Sequence, residues 1–221
     1  MKKYALRLLI LLCLPTIAHA QADYSKEELH EAWKKVVNQP VAPSDYRLYV
    51  DSVTLHFTDS LKAAGVDTIG IYEKRYDGLY ALDSCRCGHN PRVAVVQWVD
   101  NGHTFHRQLT KCCLFKTKEI DYSALIQYYT ANFKQLNRAK IMPNIISISR
   151  DEDGELSFIF SMVDHTTRYL IYCEVGDHSK FVQLEEFDFE NENSIFHSEN
   201  NSSIIKSWRD IIESQLEEIE R

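Results

Sequence analysis

The chain has 221 residues, six cysteines and a formal charge of −7 at pH 7, with 32 acidic against 25 basic side chains. An acidic surface repels phosphate backbones and anionic lipid head groups, so the composition argues against nucleic-acid and membrane partners and leaves a basic protein partner open. With seven glycines and no motif of a phosphate-binding loop or a hydrolase, the sequence predicts no cofactor.

The first twenty residues have the layout of a secretory signal peptide. A basic start and an apolar run from 8 to 17 precede small residues at Ala18 and Ala20, where cleavage is expected. The run is too short to span a bilayer as a mature helix. We therefore expect an exported protein, periplasmic or extracellular, whose mature part 21–221 carries five cysteines and, without three positive charges, a formal charge of −10.

Two helices are predicted ahead of the first strand. Ser25 and Glu28 have the spacing of a capping box, and an apolar stripe follows until Pro40. A period near 3.6 then runs through 44–65 and predicts the second helix. A strand over 46–57 is the alternative, because valine, threonine and tyrosine favour strands.

Two groups of four strands follow, and each group precedes an amphipathic helix. The acidic segment 151–155 is predicted as a tight turn, since its glycine spacing does not fit a calcium loop. The polar segment 190–203 is predicted as a loop. Strands are expected at 66–73, 79–83, 92–99, 104–111, 145–149, 156–161, 168–175 and 181–187, and helices at 122–136 and 204–219, the last with Ile204, Trp208, Ile211, Ile212, Leu216 and Ile219 on one face.

The two groups resemble each other when the chain is displaced by 76 residues. Asp77-Gly78 then falls on Asp153-Gly154, and the predicted turns and helices coincide. This suggests two related halves, 44–120 and 121–221, within a single domain. The fold class predicted is α+β, with antiparallel β-meanders packed against amphipathic helices.

The segment from Asp83 to Phe115 has the highest density of chemically reactive residues. Asn101-Gly102 lies between two alternating runs and predicts a type I′ hairpin, which places Trp98 opposite Phe105. This register brings the four cysteines of the segment to the open end of the hairpin: Cys85, Cys87, Cys112 and Cys113.

These four cysteines are interpreted as two disulfides that staple the hairpin. Thiols that lie close together in an oxidising compartment usually form disulfides. Each bridge would close a loop of about 25 residues and stabilise the fold by about 3 kcal/mol. The fifth cysteine, Cys173, lies in an alternating apolar run and is expected to be buried and inert.

A metal site is the alternative reading of the same segment. Cys85, Cys87, His89, Cys112 and Cys113 offer enough soft ligands for zinc or copper, although structural zinc sites usually space cysteines as C-x2-C. A redox-active site is disfavoured because the C-x-x-C motif is missing. The histidines proposed for binding are His89, His103 and His106, of which the last two fall on opposite faces of a strand.

The function predicted first is that of an exported, disulfide-stapled, non-enzymatic binding protein, such as a periplasmic inhibitor or an immunity-type protein that binds another protein. The absence of catalytic motifs and the acidic charge motivate this prediction. The alternative is a zinc- or copper-binding protein or a metal-dependent hydrolase that uses the cysteine and histidine cluster. A binder of small ligands, with a pocket between sheet and helices, is a third hypothesis.

Overall fold

A computed structural model describes residues 25, 27–29, 46–76, 92–110, 113–163 and 165–220. The chain divides into two compact units, 1–41 and 42–221. In the described part of the first unit, the backbone N–H of Glu28 donates to Ser25 Oγ and that of Ser25 donates to Glu28 Oε2, both at 3.1 Å. The predicted capping box is confirmed, whereas the predicted signal peptide lies outside the described residues.

The described part of the second unit contains strands and helices in mixed order, which confirms the α+β class. The strands are β1 (Thr68–Tyr76), β2 (Arg92–Asp100), β3 (His103–Leu109), β4 (Lys118–Ile120), β5 (Ile145–Arg150), β6 (Leu156–Phe160), β7 (Thr167–Val175) and β8 (His178–Glu185). The helices are α1 (Ser52–Ala63), α2 (Ala124–Arg138), α3 (Phe187–Glu190), α4 (His197–Asn201) and α5 (Ile204–Glu220), and a 3-10 turn at Tyr46–Leu48 precedes α1.

Six strands form one antiparallel sheet in the order β4-β3-β2-β1-β7-β8. The hairpins β2–β3 and β7–β8 lie on either side of β1, which pairs with β2 and with β7. The strands β5 and β6 form a separate two-stranded sheet. The predicted strand at 79–83 lies outside the described residues.

The segment 44–65 is helical over α1, so the alternative strand over 46–57 is wrong. The side chain of Asp51 accepts hydrogen bonds from the N–H groups of Val53 and Thr54, so the N-cap lies seven residues after the predicted one, Ser44. A side-chain cap of this kind satisfies N–H groups that have no partner inside the helix, which favours the helical start. The predicted loop at 190–203 also contains the short helix α4.

Helices cover both faces of the six-stranded sheet. Successive residues of β1 point to opposite faces, so Ile69 and Ile71 pack in the cluster on the α1 side, while Tyr72 packs with residues of α2 and α5. Between them Gly70 lets α2 approach the sheet, because a β-carbon at this position would lie 2.1 Å from Leu125 Cδ2. The core therefore has two layers, separated by the sheet.

The last helix packs with a narrower stripe than the sequence predicts. Ile205, Trp208 and Ile212 are buried, whereas Ile211, expected on the same face, is 42 % exposed. Trp208 is fully buried and its Nε1 donates to the carbonyl of Leu125 at 2.9 Å. One polar residue, Gln215, completes the buried stripe.

The displacement of 76 residues superposes the order of the elements but not their environments. It makes α1 overlap α2, α2 overlap α5, and the hairpin β2–β3 overlap β7–β8. It also makes β1 overlap β5, yet β1 lies inside the six-stranded sheet and β5 pairs with β6 alone among the described strands. The division into two related halves stays a prediction.

Candidate functional site

The hairpin predicted from Asn101-Gly102 is present as β2–β3. Asn101 and Gly102 have φ values of 49° and 81°, as a type I′ turn requires. Trp98 is the register partner of Phe105, and Ala94 is that of Leu109, as predicted. The predicted register is confirmed between these two pairs, whereas β3 ends at Leu109, two residues earlier than predicted, and Leu109 also forms a bridge with Leu114.

One of the four predicted staple cysteines lies in the described part of the chain. Cys113 follows β3, where its carbonyl accepts from the N–H of Thr110 at 2.9 Å. Cys85, Cys87 and Cys112 lie outside the described residues, as does His89, so the pairing stays a prediction. Cys173 is buried and free, as predicted, and burial raises the pKa of its thiol.

The metal-site alternative also stays a prediction. No group of three or more histidine, cysteine, aspartate or glutamate side chains comes together there in a way that could hold a metal ion. Apart from Cys113, the predicted ligands lie outside the described residues.

The two described histidines of the hairpin do not form one site. His103 is exposed next to the turn, and its Nδ1 lies 2.6 Å from Glu119 Oε1. His106 is buried on the opposite face of β3, with its Nδ1 3.4 Å from Gln97 Nε2. Burial and, to a smaller extent, the positive charge of Lys118 lower the pKa of His106 to about 4.

Around His106 the polar side chains form a buried network that positions α2. Gln97 accepts from the hydroxyl of Ser123 and donates to Gln215 Oε1 at 3.2 Å. Ser123 also accepts from the N–H of Ile126, and Gln215 accepts from that of Ala124. These bonds satisfy N–H groups at the start of α2, so the network has a structural role.

Five of the twelve exposed large apolar side chains among the described residues lie in or next to the two-stranded sheet. We call β5, the turn 151–155, β6 and residues 161–163 the ribbon. Large apolar side chains are exposed along it, and the two most exposed are Met162 at 90 % and Ile159 at 57 %. The exposed set consists of Ile146, Ile159, Phe160, Met162 and Val163.

Apolar side chains are present on both faces of the ribbon. Ile148 is the register partner of Phe158 and Ile145 that of Phe160, so these four residues share one face. Ile159, one residue from each phenylalanine, points to the other face. The sequence predicts meanders packed against amphipathic helices. The exposure of the ribbon was not predicted.

The tip of the ribbon is the predicted tight turn, and it is acidic. Asp151 accepts from the N–H of Glu155 through Oδ1 at 2.8 Å, and Gly154 has a φ of 84°. The turn also contains Glu152 and Asp153, so four carboxylates follow Arg150 in sequence. The ribbon thus combines an apolar body with a negatively charged tip.

The root of the ribbon is anchored by buried polar side chains. Asn144, the residue before β5, donates through Nδ2 to Asp188 Oδ1 at 2.9 Å, and Asp188 Oδ2 accepts from the N–H of Glu185. Burial raises the pKa of Asp188 to about 6. The buried Asn200 adds hydrogen bonds to both backbone groups of Met142. These hydrogen bonds fix the backbone just before β5, where the ribbon begins.

Comparison of the chain with protein-family models, with curated proteins and with solved structures finds no match. Among the described residues, no helix has the length and apolar character needed to cross a membrane.

Proposed function

We propose that the chain is an exported, non-enzymatic binding protein that recognises another protein through the ribbon. The observation that supports this function is the exposure of Ile146, Ile159, Phe160, Met162 and Val163 within one short sheet. Contiguous apolar surface is rare on soluble monomers and usually marks an interaction site. The signal-like N-terminus and the expected disulfide staple fit an extracytoplasmic protein of this kind, such as an inhibitor or an immunity-type protein.

The charge around the ribbon indicates which partner it fits. Four carboxylates lie at the tip, from Asp151 to Glu155, and the whole chain has an excess of acidic side chains. Complementary potentials accelerate association and select the partner. We therefore infer a basic partner with an apolar patch bordered by lysine or arginine, onto which Ile159 and Met162 pack while the tip contacts the basic border.

Binding can also involve the backbone of the ribbon. Within the described part of the chain, β5 and β6 pair only with each other, which leaves an outer edge on each strand. An extended partner segment can add to such an edge through main-chain hydrogen bonds, with alternate side chains setting specificity. The apolar side chains supply the surface that is removed from water.

The experiment compares capture of a partner by the native protein and by a ribbon variant. Ile159→Ser with Met162→Ser removes the two most exposed apolar side chains of the ribbon, and Ile211→Ser is the control because it removes an exposed isoleucine from α5. We expect a stoichiometric complex with a basic protein from the native compartment, at least tenfold weaker for the ribbon variant and unchanged for the control.

Three results would overturn this function. One is equal capture by the native protein and the ribbon variant, with both folded by circular dichroism. Another is a ribbon-dependent dimer in sedimentation velocity, which would make a second copy the occupant. The last is turnover of a small substrate by the purified protein without any stoichiometric partner.

A further inference from the structure

Three arginines lie side by side across neighbouring strands of the six-stranded sheet. Arg75 on β1 is the register partner of Arg92 on β2 and of Arg168 on β7. Register partners in antiparallel strands project from the same face, with β-carbons about 5 Å apart. We call these three residues the arginine row.

A buried carboxylate and a backbone carbonyl hold part of the row in place. Glu73 is 2 % exposed and points to the same face as Arg75, two residues further along β1. Its Oε1 accepts from Arg75 Nη2 at 3.1 Å and its Oε2 from Arg92 Nη2 at 3.0 Å. The same two nitrogens donate to the carbonyl of Tyr49 at 3.2 and 2.7 Å.

The hydrogen-bonding capacity of Arg75 is only partly used. Within the described part of the chain, both of its hydrogen bonds come from Nη2, and its side chain is 34 % exposed. Arg168, beside it, donates through Nε to Glu185 Oε1 at 2.9 Å and is 43 % exposed. Two adjacent guanidinium groups therefore reach the surface, one beside the carboxylate of Glu73 and the other beside that of Glu185.

A small cavity opens beside these two guanidinium groups. It measures about 20 Å³, and its lining includes Arg75, Arg168, Glu73 and Gln183. Gln183 is the register partner of Leu170 on β7, and its side chain makes no hydrogen bond with another described residue. A cavity of this size has room for about one water-sized group.

Aromatic surface adjoins the cavity. Tyr49 contributes to the lining, and its ring stacks on that of Phe181 with centroids 5.5 Å apart. Tyr49 is 45 % exposed, so a ligand at the cavity can contact its ring. The site thus combines guanidinium and amide donors with an apolar rim.

We propose that this cavity binds the carboxylate of a ligand whose neighbouring apolar group packs on Tyr49 and Phe181. A planar carboxylate matches the paired N–H groups of a guanidinium, and Gln183 supplies a further donor. A cavity of this size is filled by one carboxylate oxygen. The site involves none of the ribbon residues and is independent of the function proposed above.

N-acetyl-phenylalanine is the probe, and its carboxamide is the matched neutral control, with binding followed by heteronuclear NMR titration. We expect saturable binding of the acid with a Kd of about 1 mM, and at least tenfold weaker binding of the amide. Arg75→Gln should weaken binding of the acid at least tenfold. Arg138→Gln, which removes an exposed arginine from the end of α2, should leave it unchanged.

Equal affinity for the acid and the amide, or no binding of the acid at about 10 mM, would overturn the proposal. Inorganic phosphate that binds as tightly as the acid would overturn the assignment to carboxylates. Because Arg75→Gln also removes a contact to Glu73, Gln183→Leu provides a second variant that leaves every charge in place and should weaken binding at least threefold. Unchanged binding by both variants would refute the site.

Peptides distinguish the two sources of such a carboxylate. A tripeptide with C-terminal phenylalanine that binds at least tenfold more tightly than the single amino acid would assign the site to peptide C-termini. Equal affinity would assign it to a small organic acid. The amidated tripeptide should lose binding in either case, and retention of binding would contradict the proposal.

Discussion

Single residues in this protein show how polar side chains are accommodated in an apolar core. Gln97, Ser123 and Gln215 are almost fully buried, and each has hydrogen-bond partners in the network around His106. A buried polar group without a partner would cost about 1–3 kcal/mol. His106 is the member of this network that can change charge, and its burial has a consequence for stability.

We expect His106 to destabilise the fold as the pH falls from 6.5 to about 4. Its pKa in the fold is about 4, below the ordinary 6.5, so in this window the unfolded chain takes up a proton that the folded chain does not. The free energy of unfolding should fall by about 2–3 kcal/mol from this group alone. Urea unfolding of the native protein and of His106→Asn at pH 7.5 and 4.5 measures the difference.

A substitution that changes no titratable group provides the control for this comparison. Ser157→Ala, at an exposed position of β6, should show the same change in unfolding free energy with pH as the native protein, to within about 0.5 kcal/mol. If His106→Asn instead loses as much stability between the two pH values as the native protein does, the buried imidazole does not set the acid sensitivity.

At the scale of helices and strands, the fold depends on a close contact between α2 and β1. The strand β1 lies under α2, and the missing side chain at Gly70 creates the space that Leu125 fills. The N-terminus of α2 is held by Ser123 as its N-cap and by the side-chain oxygen Oε1 of Gln215 from α5, which accepts from the N–H of Ala124. Contacts of this kind connect elements that are far apart in the sequence.

Gly70→Ala should destabilise the fold by about 1–3 kcal/mol, because the added methyl group overlaps Leu125 Cδ2. Leu125→Ala should also be destabilising, since it leaves a cavity in the core. In the double variant the new methyl group occupies part of that cavity, so its cost should be smaller than the sum of the two single costs. Thermal and urea unfolding of the four proteins measure the coupling, and additive costs would contradict the packing described here.

The larger unit combines a sheet covered on both faces with the predicted disulfide staple at one end. Cys113 lies beyond β3, next to the end of the sheet at which β1 ends and β2 begins. The ribbon adds exposed apolar surface, and the arginine row adds positive charge to an acidic chain. These features belong to different regions and can be tested separately.

The number of reactive thiols tests the staple in the mature chain. Denatured protein from residue 21 onward should take up one alkyl group before reduction and five after it, because two disulfides leave Cys173 free. Under native conditions Cys173 should resist alkylation, since it is fully buried. Intact mass spectrometry counts the adducts. Five reactive thiols without reduction, together with a metal-sized mass increment, would favour the metal-site alternative.

Local chemistry let the sequence by itself determine much of the fold. The hairpin at Asn101-Gly102, the capping box at Ser25, the acidic turn of the ribbon and the burial of Cys173 each follow from short-range preferences or from alternation along a strand. The α+β class follows from the succession of these patterns. The start of α1 was predicted too early, because several polar residues ahead of the helix, Asp51 among them, could each act as its N-cap.

Only the tertiary structure decided which faces are buried and which strands are neighbours. The position of β1 between β2 and β7 aligns Arg75, Arg92 and Arg168, which are far apart in the sequence. Burial of His106 and exposure of Ile159 depend in the same way on where the helices lie. Pairing and covering are properties of the whole packed chain, and the periodicity of one segment does not specify which partner will cover it.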